Sequence, residues 1–249
     1  MATSKGYYLY GFTNCKKYKD IQKDSVAGGS SVQNIPFRGI GLLYNTVNGK
    51  EVKPSRNNLM AHQKILESMM KEYCVLPVKF GTVAQSKGAL YNGIKNNIST
   101  IRGNLKVLKG KKELNIKASW EKSFIYDYIL KNYSDIKKFK NRVEKLKGTQ
   151  KHHNKIELGK MIERALLKEN EKEAEKIIKE LSPSFIKYKK SKVFGELMFL
   201  NLSVLVKDKA ESLLDELVNE AAENREDKVK FKYTGPSPPA SFVNIHLKF

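Results

Sequence analysis

The chain has 249 residues, 40% of them apolar, and its 47 Lys and Arg outnumber 26 Asp and Glu to give a formal net charge of +21. That length and apolar share exclude a disordered tail and supply enough side chains for two modest cores or one large one. No apolar run approaches the roughly 18 residues a bilayer span needs, and the opening MATSKGYYLYGF lacks a signal-peptide pattern, so a soluble cytoplasmic protein is expected.

The charge is unevenly spread: residues 1–112 carry a net +14, residues 113–249 a net +7, and no carboxylate side chain falls between Glu72 and Glu113. Such a field attracts nucleic acid, anionic lipid or an acidic protein, or simply keeps the chain dispersed. Cys15 and Cys74 fit no metal or redox spacing and read as reduced thiols.

In chain order, YYLYGF (Tyr7 to Phe12) and IGLLYN (Ile40 to Asn45) read as strands because they are short, apolar and rich in aromatics. Leu59, Leu66, Met69, Met70 and Tyr73 recur near a helical period, with Ser55 placed to cap, so the chain from Asn57 to Tyr73 is predicted helical. VLPVKFGT (Val75 to Thr82) reads as a strand whose Pro77 belongs at an edge or bulge, since proline donates no ladder hydrogen bond. A single helix is predicted from about Ser86 to Leu108. Its Leu90, Ile94, Ile98, Ile101, Leu105 and Leu108 share one arc, and Lys95, Arg102, Lys106 and Lys109 share the next. That basic flank is a candidate protein-docking stripe, although charge runs on helices also serve simply as solvated faces.

ELNIKASW (Glu113 to Trp120) alternates Leu114, Ile116, Ala118 and Trp120 on one side, the pattern of a half-buried strand opening a second domain. Two helical stretches follow, Ile125 to Leu146 and Leu158 to Leu181, with Gly148 to Asn154 read as the polar connector of a helical hairpin. FIKYKK (Phe185 to Lys190) reads as a strand, and LMFLNLSVLV (Leu197 to Val206) as one buried on both faces. Asp208 and Glu211 suggest a capping box before a helix carrying Leu213, Leu214, Leu217 and Val218, and KVKFKYTG (Lys228 to Gly235) reads as the last strand. From residue 113 the order is strand, helices, strand, strand, helix, strand. The expected class is therefore α+β with two domains, 1–112 and 113–249, built on ferredoxin-like (βαββαβ-type) sheets with helices on one face. The second domain adds the long helical hairpin, and the first follows a looser version of the same plan.

Enzyme templates find no match. GGSSV (Gly28 to Val32) lacks the Lys-Ser/Thr ending of a phosphate loop and reads as a mobile loop. His62, His152, His153 and His246 have no partners at zinc-ligand spacing, so no metal, cofactor or catalytic residue is assigned. A basic, ferredoxin-like nucleic-acid binder is the alternative reading, and the strands carry none of the stacking-aromatic pattern that RNA-recognition modules require. In YTGPSPPASF, Gly235 is expected to take a positive φ and end the strand, and Pro236, Pro238 and Pro239 to hold the chain extended, with Phe242 and Val243 packing back.

YYLYGF, VLPVKFGTV, ELNIKASW, MFLNLSVLV with KDKAESLLDEL, and KYTGPSPPASFV resemble, in this order and over nearly the full length, the gas vesicle GvpF/GvpL family. The most specific segments are VLPVKFGTV and TGPSPPASFV. Through them the resemblance marks Pro77, Phe80, Gly81, Thr82, Thr234, Gly235, Pro236, Pro238, Pro239 and Phe242 as structural motif residues. Ser237 and Ala240 depart from the family pattern, which usually has an aromatic at the first position and often one at the second. The resemblance implies two α+β domains, the N-terminal one a modified ferredoxin-like unit. It implies a non-enzymatic accessory or minor structural protein, cytoplasmic and associated with gas vesicles, without a cofactor or a membrane. Such a protein binds the small hydrophobic shell protein and other accessory proteins during nucleation and assembly.

Overall fold

The computed structural model describes residues 5–21, 24–243, 245 and 247, and the fold is α+β, with antiparallel strand pairing and packed helices. By contact the chain groups into two compact units, Met1–Glu113 with Gly235–Phe249, and Leu114–Thr234. The segment from Gly235 onward belongs to the first unit, within which its serines bond to Glu113.

In the first unit β1 (Lys5–Thr13), β2 (Lys19–Ile21), β3 (Val32–Phe37), β4 (Ile40–Asn48) and β5 (Val75–Pro77) form a sheet in the order β2-β3-β4-β1-β5. The two-residue strand β6 (Val83–Ala84) also pairs with β1. Helix α1 (Arg56–Met70) starts where expected, because the Ser55 side chain accepts a hydrogen bond from the Asn58 amide and so satisfies one orphan donor. It lays Ile65, Leu66 and Met69 against Tyr8, Tyr10, Leu43 and Val47 of the sheet.

The helix expected over Ser86 to Leu108 is two helices, α2 (Lys87–Asn96) and α3 (Ile98–Leu108). Asn97 departs from helical geometry at φ −112°, ψ 9°, and its side-chain amide donates to the Gly93 carbonyl at 2.8 Å. Asparagine competes with the helix ladder in this way, which is why hydrophobic periodicity alone overlooks the break. The apolar arc survives: Leu90, Ile94, Ile101, Leu105 and Leu108 are buried and Ile98 half-buried. GGSSV is tied down rather than left loose, with Ser30 N–H donating to the Thr46 carbonyl and the Ser30 hydroxyl oxygen accepting from Thr46 N–H.

In the second unit β7 (Lys111–Trp120), β8 (Lys187–Lys190), β9 (Met198–Lys207) and β10 (Val229–Ser237) lie in the order β10-β7-β9-β8, with β8 and β9 antiparallel. The first expected helical stretch is broken at Tyr133 (φ −112°, ψ 89°) into α4 (Lys122–Asn132) and α5 (Ser134–Lys145). The second is α6 (Gly148–Leu181), and here the expectation fails in a useful way: the polar stretch Gly148 to Asn154 is helical rather than a connector. Only Leu146 and Lys147 join α5 to α6, and the two helices pack together. Helix α7 (Glu211–Glu223) is entered through a 3-10 turn, Asp208–Ala210, so Ala210 occupies the cap position and not Asp208. One core joins Leu114, Ile116 and Ala118 of β7 and Leu202 and Val204 of β9 to Ile125, Ile129, Ile177, Ile178 and Leu214 of the helices. Against it, Arg225 is 5% exposed and bonds Glu173 and Glu180 of α6 and the Ala221 carbonyl.

Strand β10 does not end at Gly235 as the sequence suggested but runs through Pro236 to Ser237. It is the outermost strand of its sheet, where the donor that proline lacks is not needed. Pro236 thus lies in extended backbone as expected, but Pro238 and Pro239 do not prolong that path: they lead into a short 3-10 turn (Ala240–Phe242) in which the Pro239 carbonyl accepts from Phe242 N–H. No described helix is long and apolar enough to cross a membrane.

Candidate functional site

The segment after β5 is held by its backbone. Val78 N–H donates to the Tyr10 carbonyl at 3.0 Å, prolonging the edge pairing one residue past Pro77. Lys79 to Thr82 then turns sharply: Thr82 Oγ1 donates to the Lys79 carbonyl at 2.6 Å, and Gly81 sits at φ +85°, which side chains with a Cβ adopt at a cost. Leu9 N–H returns to the Thr82 carbonyl at 2.9 Å.

Beneath this turn lies an aromatic cluster. Phe80 meets Tyr8 and His62 edge-on at centroid distances of 5.8 and 5.6 Å, and His62 stacks on Tyr10 at 5.4 Å and 19°. The Tyr8 oxygen accepts from Gly81 N–H, and its hydroxyl lies 2.8 Å from His62 Nδ1. Burial pushes the His62 imidazole down to about pKa 4, and pushes the Tyr8 phenol up and Tyr10 up to about 12. The ring is therefore neutral at pH 7 and hydrogen-bonded through Nδ1 to the Tyr8 hydroxyl.

The second motif segment is fixed by one carboxylate. Glu113 is 4% exposed; its oxygens accept from Ser241 N–H at 2.8 Å and Ser241 Oγ at 2.7 Å, and its carbonyl accepts from Ser237 Oγ at 3.3 Å. Ser237 thus uses its hydroxyl to tie the tail to β7. Thr234, Gly235 (φ +125°) and Pro236 are exposed, Pro238 and Pro239 are buried, and Phe242 is half-buried.

The two segments meet. Pro77, Val78, Lys79 and Thr82 form one wall of a cleft of about 440 Å³, and Ala240, Val243, Ile245 and Leu247 form the other. Most of that lining is apolar. Among the described residues Lys79 is the one ionisable side chain of the lining and the Thr82 hydroxyl is already committed, so these residues assemble no acid–base pair and fit an apolar chain segment better than a reacting substrate.

The basic stripe is divided by the break at Asn97. Lys95 lies on α2, Arg102 and Lys106 lie one turn apart on α3, and Lys109 follows its end, all four exposed. Arg102 is engaged locally, its guanidinium donating to the Arg38 carbonyl. None of the four lines the cleft. His152 and His153 fall in the first turns of α6, His246 lies outside the described residues, and among the described residues no three His, Cys, Asp or Glu groups gather as metal ligands. Sequence reasoning missed Glu113 as a clamp and His62 as the centre of the aromatic cluster. The sequence offers no local signal for either: Glu113 merely ends the longest carboxylate-free stretch of the basic half, near the start of β7.

The fold is a two-unit α+β scaffold, and the motif residues of its first unit line an apolar cleft. The family model described as "Gas vesicle synthesis protein GvpL/GvpF" matches residues 6–244, and the chain belongs to that family. It is 25% identical over 210 residues to gas vesicle protein F of Dolichospermum flosaquae, covering 82% of this chain and 84% of that one. It is 23% identical over 249 residues to gas vesicle protein F of Nostoc sp., covering 97% and 99%. Its fold superimposes on the crystal structure of GvpF from Microcystis aeruginosa with a TM-score of 0.78 at 20% identity, covering 96% of this chain and 99% of that one. For GvpF from Anabaena sp. the TM-score is 0.81 at 22% identity, with 98% and 100% covered. Membership of that family supports a gas vesicle-related role, and the nucleic-acid alternative is not favoured.

Proposed function

We propose that this protein is a non-enzymatic accessory or minor structural component of the gas vesicle. In this reading it binds the hydrophobic shell protein and other accessory proteins during nucleation and assembly, in the cytoplasm and at the growing vesicle. The observation that carries it is the cleft between Val78 and Val243, an apolar surface beside the edge strand β5. A shell subunit that buries its apolar surface only after assembly must be shielded beforehand, and a cleft of this kind accepts an apolar segment without needing a charged partner.

Two further readings belong with it. The strand order β10-β7-β9-β8, with helices after β7 and β9, supports a ferredoxin-like plan for the C-terminal domain over 113–249, paired with a modified version of that plan over 1–112. The flank of Lys95, Arg102, Lys106 and Lys109 is read as a docking stripe for acidic accessory proteins, whose encounter a net charge of +21 accelerates.

Co-expression with the shell protein, followed by pull-down, tests the reading. The intact protein is expected to co-purify with shell protein and raise its soluble fraction, and Val78→Asp with Val243→Asp to abolish both. Charge reversal of Lys95, Arg102 and Lys106 is expected to leave shell-protein capture intact and weaken accessory-protein capture. No association between the intact protein and the shell protein refutes the function, and undiminished accessory capture refutes the stripe.

A further inference from the structure

A second pocket, wholly within Leu114–Thr234, is built from different chemistry. Trp120 ends β7, and Phe124 and Tyr128 lie one turn apart on α4. Their rings form a continuous wall: Trp120 to Phe124 at 5.9 Å and 28°, Phe124 to Tyr128 at 5.8 Å and 33°. Opposite them α6 places Glu169, Lys172, Glu173 and Lys176 along one face, and Lys228 comes from the approach to β10. The enclosed volume is about 200 Å³. That is below the range of cofactor and drug-sized sites and suits a single large side chain.

The charges here are not balanced. Glu173 is committed to Arg225 at 2.5 Å, and Glu169 accepts the Tyr133 hydroxyl at 2.8 Å. Lys172 lies a loose 3.9 Å from Glu169 with its side chain 70% exposed, a geometry worth little in water. Lys176 and Lys228 are exposed at the rim, with no carboxylate within ion-pair distance among the described residues. The carboxylates are thus consumed by the fold and the ammonium groups are left over. A ligand matching this pattern has one flat apolar group flanked by negative charge.

The geometry points to a docking pocket for an acidic protein segment that inserts one aromatic side chain against Trp120, Phe124 and Tyr128 and places its carboxylates on Lys172, Lys176 and Lys228. A nucleotide presents the same two features, but base and ribose together exceed the space available. The pocket shares no lining residue with the cleft of the first unit, so its occupancy and capture of the shell protein are separately measurable.

Trp120 is the one tryptophan of the chain and is 7% exposed, so intrinsic fluorescence of the full-length protein reports this pocket directly. The probe is an acetylated, amidated Glu-Asp-Phe-Glu-Asp peptide at low ionic strength, with Gln-Asn-Phe-Gln-Asn, Glu-Asp-Ala-Glu-Asp and a short oligothymidylate as comparisons. Saturable change in Trp120 emission is expected with the first peptide. Binding should be about tenfold weaker for the neutral and the alanine peptides and for the Lys172→Glu, Lys176→Glu, Lys228→Glu triple variant, and should weaken with added salt. The Lys176→Gln, Lys228→Gln variant, which changes only exposed side chains, is expected to show a smaller loss in the same direction. Equal binding of the neutral peptide, undiminished binding by both variants, tighter binding of the oligonucleotide, or no change in Trp120 emission at millimolar peptide each overturns the assignment.

Discussion

Acidification should destabilise this protein through His62 before its surface carboxylates titrate. The imidazole is 7% exposed, packed by Tyr10 and Phe80, with Nδ1 2.8 Å from the Tyr8 hydroxyl, and burial lowers it to about pKa 4. In the unfolded chain the same group titrates near 6.5. Between those values the unfolded state binds a proton that the folded state refuses, so stability falls as pH falls through the window and is independent of His62 above it. Integrating the two titrations from pH 7 to pH 5 gives a loss of about 2 kcal/mol from this one group. Urea unfolding across that range measures the slope, and the His62→Asn variant isolates it, because Asn Oδ1 can still accept from Tyr8 but does not titrate. His62→Asn is expected to be less stable at neutral pH by about 2 kcal/mol, since it leaves part of the ring volume empty. Its pH slope should nevertheless be flatter, so that the two proteins converge toward pH 5. Parallel slopes would falsify the assignment of a neutral, buried imidazole.

Three other outcomes follow from the geometry. Gly81→Ala meets no atom within 4 Å of the new Cβ, so the cost is backbone strain alone at φ +85°, about 1 kcal/mol, and a melting temperature unchanged within error would show that the turn relaxes freely. Glu113→Ala removes the acceptor of two Ser241 hydrogen bonds and should cost about 2 kcal/mol while exposing residues 237–243 to protease; unchanged cleavage there would mean that the clamp does not hold the tail. Arg225→Met leaves Glu173 and Glu180 without their shared cation and should destabilise by about 3 kcal/mol, with partial recovery when both glutamates become glutamine. Absence of recovery would assign the loss to packing rather than to charge.

The elements with strong periodicity were readable from residue type. β1, α1, β7, β9 and the apolar arc of α2 and α3 lie where their patterns place them. What failed depended on single polar residues. Asn97 and Tyr133 interrupt helices that hydrophobic spacing alone joins into one, because a side-chain bond or a local turn costs the apolar arc nothing. Gly148 to Asn154 looked like a loop because it is polar, yet a helix end that projects into water needs no apolar face. The candidate site was legible only as two segments. That Val78 and Val243 face one cleft depends on residues 235–243 returning to the first unit, where Ser241 bonds Glu113, and no local pattern encodes that non-local contact. The clamp by Glu113 was hidden for the same reason, since a single glutamate at a strand start carries no signal of burial.

The cleft also has a history within the chain. Its two walls come from the stretch around Val78 and the stretch around Val243, and all of Leu114–Thr234 is synthesised between them. A polypeptide still emerging from the ribosome can complete the sheet of β1 to β5 and the core against α1, but it has only half of the docking surface. If the cleft holds an apolar partner as proposed, that competence arrives only after the second unit has been made. A prematurely terminated chain that folds well enough to persist would still be unable to sequester that partner, so synthesis itself acts as a timer on when this surface comes into play.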